Sequence, residues 1–260
     1  MDINSLINDE KTLVVINHSG GKDSQAMYLF LKNLVPADRM VVIHANLPGV
    51  EWPGVIEHIE GTTESHHDFH VVQAKKTFFE MVDHRGMFPS PSYRQCTSDL
   101  KRGPIAKKIR NLVKKGGFTK VLNCMGLRAQ ESSARAKKEV FKFSKRNSTK
   151  TREWFEWLPI HDWTEEAVFS FIHSAGQEAH WAYSKGMSRL SCVFCIMSSV
   201  KDIRTAAKLM PEVAQRYIDK EKEIGHTLLM PKKGQQVFLE DIISQDAKVE
   251  LMTFTARCAA

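Results

Sequence analysis

Ser19-Gly20-Gly21-Lys22-Asp23-Ser24 stands between an apolar, β-branched run, Lys11–Ile16, and a stretch of helical composition, Gln25–Asn33. Glycines at such a turn let backbone N–H groups face inward, and the helix that follows adds the positive end of its dipole. The chemistry this favours is anion binding. Ser19 and Ser24 bring hydroxyl donors, Lys22 a neutralising charge, and Asp23 a carboxylate suited to Mg²⁺. The string is not a Walker A loop, which requires Gly where this chain has Ile16 and Ser or Thr where it has Asp23. A second chemistry is written in sulfur. There are five cysteines, Cys96, Cys124, Cys192, Cys195 and Cys258, and an odd count without a secretory signal points to metal or redox work rather than a disulfide framework. Cys192-x-x-Cys195 admits thiol redox, zinc or iron–sulfur readings.

The elements that must position these residues follow from the apolar pattern. Met40–Ala45, His67–Val72 and Lys120–Met125 read as further strands, and 51–61, Thr77–His84 and Ile105–Lys115 as helices. Strands alternating with helices predict an α/β fold, a parallel sheet with helices on both faces. Ligands of such sheets bind beyond the carboxyl ends of the strands, where the Gly-rich loop, Asn46 and Arg128 all fall. Ala134–Arg152 is polar and basic and reads as a mobile loop. Thr164 reads as an N-cap with Glu165 and Glu166 in the first turn. Residues 200–225 look helical. The expected organisation is one domain over 1–199 and a helical extension over 200–260.

Charge separates along the chain. Residues 101–152 hold 17 Lys and Arg against Glu131 and Glu139, a local balance of +15, while the remainder carries −8. That asymmetry is expected of a protein with a polyanionic partner, and a solvated basic face is the plainer reading. Phe141 and Phe143, interleaved with Lys138, Lys142 and Lys145, either stack on bases or anchor the segment. Cys124 and His44 read as core residues, Cys258 as a tail thiol, and His180 and Tyr183 as pocket or packing residues. Acids in the first ten residues, where a signal peptide has a basic start, predict a cytoplasmic protein without a membrane span.

The Gly-rich string resembles the PP-loop of the N-type ATP pyrophosphatases (the adenine nucleotide alpha hydrolase-like fold), which cleave ATP between the α- and β-phosphates. Further strings resemble the branch that contains the phosphoadenylylsulfate (PAPS) reductases. They are Arg94-Gln-Cys-Thr97 with Lys101 and Pro104, Gly126-Leu-Arg-Ala-Gln-Glu-Ser132 with Arg135, Leu158-Pro-Ile-His-Asp-Trp163, His180 with Tyr183 and Gly186, and Cys192-Val-Phe-Cys195. The resemblance implies that Ser19–Ser24 bind ATP, that Lys22 and Asp23 act on phosphate and metal, and that Arg128, Glu131 and Arg135 line the nucleotide and acceptor pocket. Asn46 departs from the pattern, since relatives often carry Asp there.

The cysteine segments resemble those of the sulfur-inserting members. Cys96, Cys192 and Cys195 would then hold three irons of a [4Fe–4S] cluster, where four cysteines are usual, leaving one iron open. Zinc on the same three thiolates plus a His is the metal alternative. The resemblance extends to the ATP pyrophosphatase component of DNA phosphorothioation systems. It implies ATP-dependent sulfur insertion into nucleic acid, DNA favoured, bound through residues 101–152, with a cysteine desulfurase as sulfur donor. The sequence leaves the oligomeric state open. Two other readings stand beside it: a PAPS or adenylylsulfate reductase, and a nucleic-acid-binding subunit with an inactive nucleotide site. Against the reductase, the tail Thr-Ala-Arg-Cys-Ala-Ala260 lacks the Glu-Cys-Gly-Leu-His segment of PAPS reductases, and the adjacent cysteine pair of the iron–sulfur reductases is missing.

Overall fold

The computed structural model describes residues 2–231 and 234–244, so Cys258 lies outside the described residues. The chain divides into two compact units. The first takes the described residues up to Asn46, Pro53–Gln73 and Lys101–Trp181; the second takes Leu47–Trp52, Ala74–Leu100 and the described residues from Ala182 onward.

The first unit is built on six strands, β1 (Thr12–Asn17), β2 (Met40–Ala45), β3 (Asp68–Val72), β4 (Lys120–Met125), β5 (Phe141–Phe143) and β6 (Glu153–Trp157), in the order β3-β2-β1-β4-β6-β5. Every pairing is parallel except the antiparallel edge pair of β5 and β6. Successive residues Val14, Val15 and Ile16 are all fully buried. Both faces of β1 are therefore covered, which is why the parallel strands read as continuous apolar runs rather than alternating ones. Leu13, Val15, Val41, Ile43, Val121 and Trp154 pack on Ile109 and Val113.

The helices described alongside the strands include α1 (Ile3–Asn8), α2 (Lys22–Leu31), α3 (Val55–Thr62), α4 (Phe78–Arg85), α5 (Gln95–Thr97), α6 (Gly103–Gly116), α7 (Ser133–Ala136), α8 (Glu165–Ser174), α9 (Val200–Leu209) and α10 (Pro211–Ile224). Thr164 caps α8, its side chain accepting from the Ala167 N–H, and Glu165 and Glu166 occupy the first turn. The chain runs β1 to β3 on one side of β1 and then returns to place β4 on the other. The loops after β1 and β4 thus diverge from neighbouring strand ends, the switch point where open α/β sheets bind ligands.

Residues 134–152 correct the expectation of a mobile loop. They hold α7, β5 and a tight turn in which the Thr149 N–H donates to the Arg152 carbonyl. Phe141 stacks on Phe155 with centroids 5.6 Å apart, and Phe143 meets the same ring edge-on at 5.4 Å. The two aromatics anchor the segment to β6, so the apolar signal lay in two side chains two residues apart, a strand period.

The second unit is helical and aromatic. Tyr217 on α10 packs among Phe78, Phe79, Phe88 and Phe194. Glu221, fully buried, accepts from the backbone N–H groups of Leu228 and Leu239 and so ties the chain after α10 to the helix. Asp202 does the same for the approach to α9, accepting from the backbone N–H and the hydroxyl of Ser188. The helices expected after residue 199 form as α9 and α10, and they share this unit with α4 and α5.

Candidate functional site

The Gly-rich loop turns at Gly20, whose φ of 78° is open to glycine at no steric cost. Gly21 is the N-cap of α2 and offers no side chain to cap it, so the helix N-terminus is presented to an anion rather than closed by its own sequence. Lys22 occupies the first helical position with its side chain only 3 % exposed; its ammonium lies 3.2 Å from Glu165 and 3.7 Å from Asp23. Asp23 accepts from Arg128 Nε at 2.5 Å. Arg128 comes from the loop after β4, is buried, and also donates to Gln130. Its backbone N–H donates to Glu131, whose carboxylate pairs with Arg135.

Two glycine contacts explain how the loops meet. A Cβ on Gly126 would lie 2.8 Å from the Asp23 carbonyl oxygen and 3.0 Å from the Ser24 nitrogen, both backbone atoms. Only glycine therefore lets the loop after β4 rest on the first turn of α2. Beneath the loop, His18 accepts from the Gly20 N–H through Nδ1, and His44 Nδ1 lies 2.9 Å from the His18 carbonyl oxygen. Burial, with His44 and His58 nearby, pushes the His18 pKa down to about 3, so the ring stays neutral. Asn17 bonds Asn123 and the Cys124 carbonyl, closing β1 on β4 just below the loop.

The Ser24 hydroxyl donates to the Gly21 carbonyl and accepts from the Ser19 N–H, bracing the loop. Lys22, Asp23, Arg128, Glu131 and Arg135 are brought together, and Asn46 lies at the end of β2 with its N–H on the Val72 carbonyl. Asp23 is engaged by Arg128, so a Mg²⁺ ligand role would be shared with that pair. Glu165 and His18 were missed as site residues. Glu165 carried a first-turn signal without its partner, and His18 gave none beyond adjoining the loop. His44 is buried and bonded as expected of a core residue, and burial raises the Cys124 thiol above its usual range.

Cys96, Cys192 and Cys195 all belong to the second unit, half-buried. They act together on one atom group: burial, and then Cys192, Cys195 and Cys96, raise the Tyr217 pKa well above that of an ordinary phenol. A tetrahedral zinc ion with Zn–S bonds of about 2.3 Å holds its sulfurs roughly 3.8 Å apart. Among the described residues only Glu64, His66 and His67 bring three such ligand atoms within 4.8 Å of one another. That trio is satisfied internally, by Lys32 on Glu64 and Tyr28 on His67. The three thiols and the buried Tyr217 hydroxyl with no partner have the donor chemistry that suits an iron–sulfur group.

Residues 13–198 match the family model of the phosphoadenosine phosphosulfate reductase domain. An uncharacterized protein of Methanocaldococcus jannaschii is 26 % identical over 208 residues, 80 % of this chain and 47 % of that protein. The chain spans about half the length of the curated relatives it matches. Among solved structures, the phosphate complex of PAPS reductase from Candida auris is similar at a TM-score of 0.49, with 12 % identity over 72 % of this chain and 84 % of that one. The U34-tRNA thiolase NcsA from Methanococcus maripaludis, solved with its [4Fe–4S] cluster, gives 0.44, with 13 % identity over 85 % of this chain and 72 % of that one.

Proposed function

The chain belongs to the phosphoadenosine phosphosulfate reductase domain family, and we propose that within it this protein is a cytoplasmic ATP pyrophosphatase that activates a phosphate oxygen of nucleic acid for replacement by sulfur. The observation that carries this reading is the junction of α2 and the β4 loop. An uncapped helix N-terminus, a buried Lys22 and a buried Arg128 converge where Gly126 allows two loops to touch. Such a site suits a polyphosphate.

In this reading the loop binds Mg²⁺·ATP. A non-bridging oxygen of the nucleic-acid phosphate attacks the α-phosphorus, the bond to the β-phosphate oxygen breaks, and pyrophosphate leaves. Persulfide sulfur from a cysteine desulfurase, reduced by two electrons from an external thiol to sulfide, then attacks the activated acceptor phosphorus, and AMP departs with the original oxygen. Lys22 and Arg128 stabilise the charge that develops on the phosphoryl oxygens, the main contribution in such transfers. Glu165 and Asp23 hold those cations in place between turnovers. Cys96, Cys192 and Cys195 would hold a [4Fe–4S] cluster, which when bound supplies an iron with an open position for sulfide. DNA is the favoured acceptor, through the basic segment 101–152.

The test is pyrophosphate release by anaerobic protein with Mg²⁺·ATP and an oligonucleotide. Lys22→Ala and Arg128→Ala should each lower the rate by about 10²- to 10³-fold, the cost of losing one preorganised charge donor. Wild-type protein that instead releases sulfite from PAPS with a thiol reductant, and no pyrophosphate from ATP, is a reductase.

A further inference from the structure

Tyr217 is fully buried on α10, and its hydroxyl has no hydrogen-bond partner. The ring cannot turn to find one. It stacks on Phe88 at 6.0 Å with planes 13° apart, and Phe79, Phe194 and Phe78 hold its other sides at 5.0, 5.2 and 5.7 Å. Phe194 sits between Cys192 and Cys195, so the motif that carries two of the thiols also forms a wall of the tyrosine's pocket.

A buried hydroxyl left unsatisfied costs about 1–3 kcal/mol. Phenylalanine would fill the same aromatic space without that cost, so packing does not explain why the residue is Tyr. Through Phe194 the Cys192–Cys195 motif abuts the phenol ring, yet no thiol serves as the hydroxyl's acceptor. The acceptor that fits is therefore something the thiols hold between them. We propose that Tyr217 donates its hydroxyl hydrogen to a sulfur of the iron–sulfur group carried by Cys96, Cys192 and Cys195, and is a positioning residue for that group. Hydrogen bonds to cluster sulfurs stabilise the more negative, reduced state and raise the reduction potential. The inference deepens the proposed function and rests on its cluster half alone, not on ATP cleavage.

The experiment is an anaerobic redox titration, followed by electron paramagnetic resonance, on full-length wild type and Tyr217→Phe reconstituted with iron and sulfide. The variant should load the same iron and melt no lower than wild type. Its one-electron equilibrium should shift about five- to tenfold toward the oxidised form, the loss of one hydrogen bond. Protein labelled with 3-fluorotyrosine, a stronger donor, should shift the opposite way, and this measurement decides if the Phe variant fails to load iron. A fully loaded variant or labelled protein with an unmoved equilibrium overturns the inference and leaves the cluster reading standing. Wild type that binds no iron, or only zinc, overturns both.

Discussion

His18 shows how one side chain ties the Gly-rich loop to solution pH. Its ring is neutral in the folded protein, with a pKa pushed down to about 3 by burial first and His44 and His58 second. In the unfolded chain it titrates near 6.5. Between those values the unfolded state binds the proton and the folded state does not. His18 therefore contributes stability that is fully present above pH about 6.5 and is lost as pH falls toward the folded pKa, with a slope of at most about 1.4 kcal/mol per pH unit. Denaturant melts from pH 7 to 4.5 should show the loss, and His18→Asn, which keeps an acceptor for the Gly20 N–H, should flatten it. An equal slope in both proteins would place the sensitivity elsewhere. The motif residues Lys22, Asp23 and Arg128 were legible because they sit inside recognisable strings. Their partners were not: the Lys22–Glu165 pair and the internal use of the Ser24 hydroxyl depend on loop geometry and long-range contacts that no local pattern encodes.

At the scale of elements, the contact of the β4 loop with α2 is the joint on which the site depends. Gly126→Ala should force the Asp23 carbonyl or the strand end to move, since the new Cβ would meet backbone at 2.8 Å. Affinity for ATP, measured by calorimetry, should fall at least about tenfold, the effect of a misplacement of roughly 1 Å at a site of this kind being larger still. Gly61→Ala is the control: nothing lies within 4 Å of the added carbon, and a helical Gly→Ala change is neutral or stabilising by up to about 1 kcal/mol. Matching ATP affinity in the two variants would refute the joint. β1, β2 and β4 were readable because strands buried on both faces are unbroken apolar runs. β5 was not, since three residues, Phe-Lys-Phe, carry too short a pattern to outweigh the basic, polar residues around them.

For the molecule as a whole, charge is the feature that reaches furthest. Part of the positive segment is spent internally, with Lys120 on Asp9, Arg128 on Asp23, Arg135 on Glu131 and Lys142 on Glu156. Lys138, Lys145 and Arg146 are exposed. If the proposed nucleic-acid partner binds there, affinity should fall steeply with salt, and neutralising those three together should reduce the slope of log K against log salt by roughly two to three. ATP affinity should not change. A slope unaltered by the triple change would remove the segment from the interface. The grouping into two units was invisible to the sequence, because the second is assembled from three stretches separated by parts of the first.

That interleaving has a consequence during synthesis. Cys96 leaves the ribosome long before Cys192 and Cys195, by on the order of ten seconds at about 5–20 residues per second. Tyr217 and the α10 helix that seats it emerge later again. For that interval the Cys96 thiol waits on a nascent chain, open to oxidation and to stray metal. If the three thiols hold the proposed cluster, iron and sulfide can be captured by all of them only after translation has passed α10, and maturation of that centre would be post-translational in its timing. Expression under low oxygen should then raise the yield of loadable protein more than adding iron does.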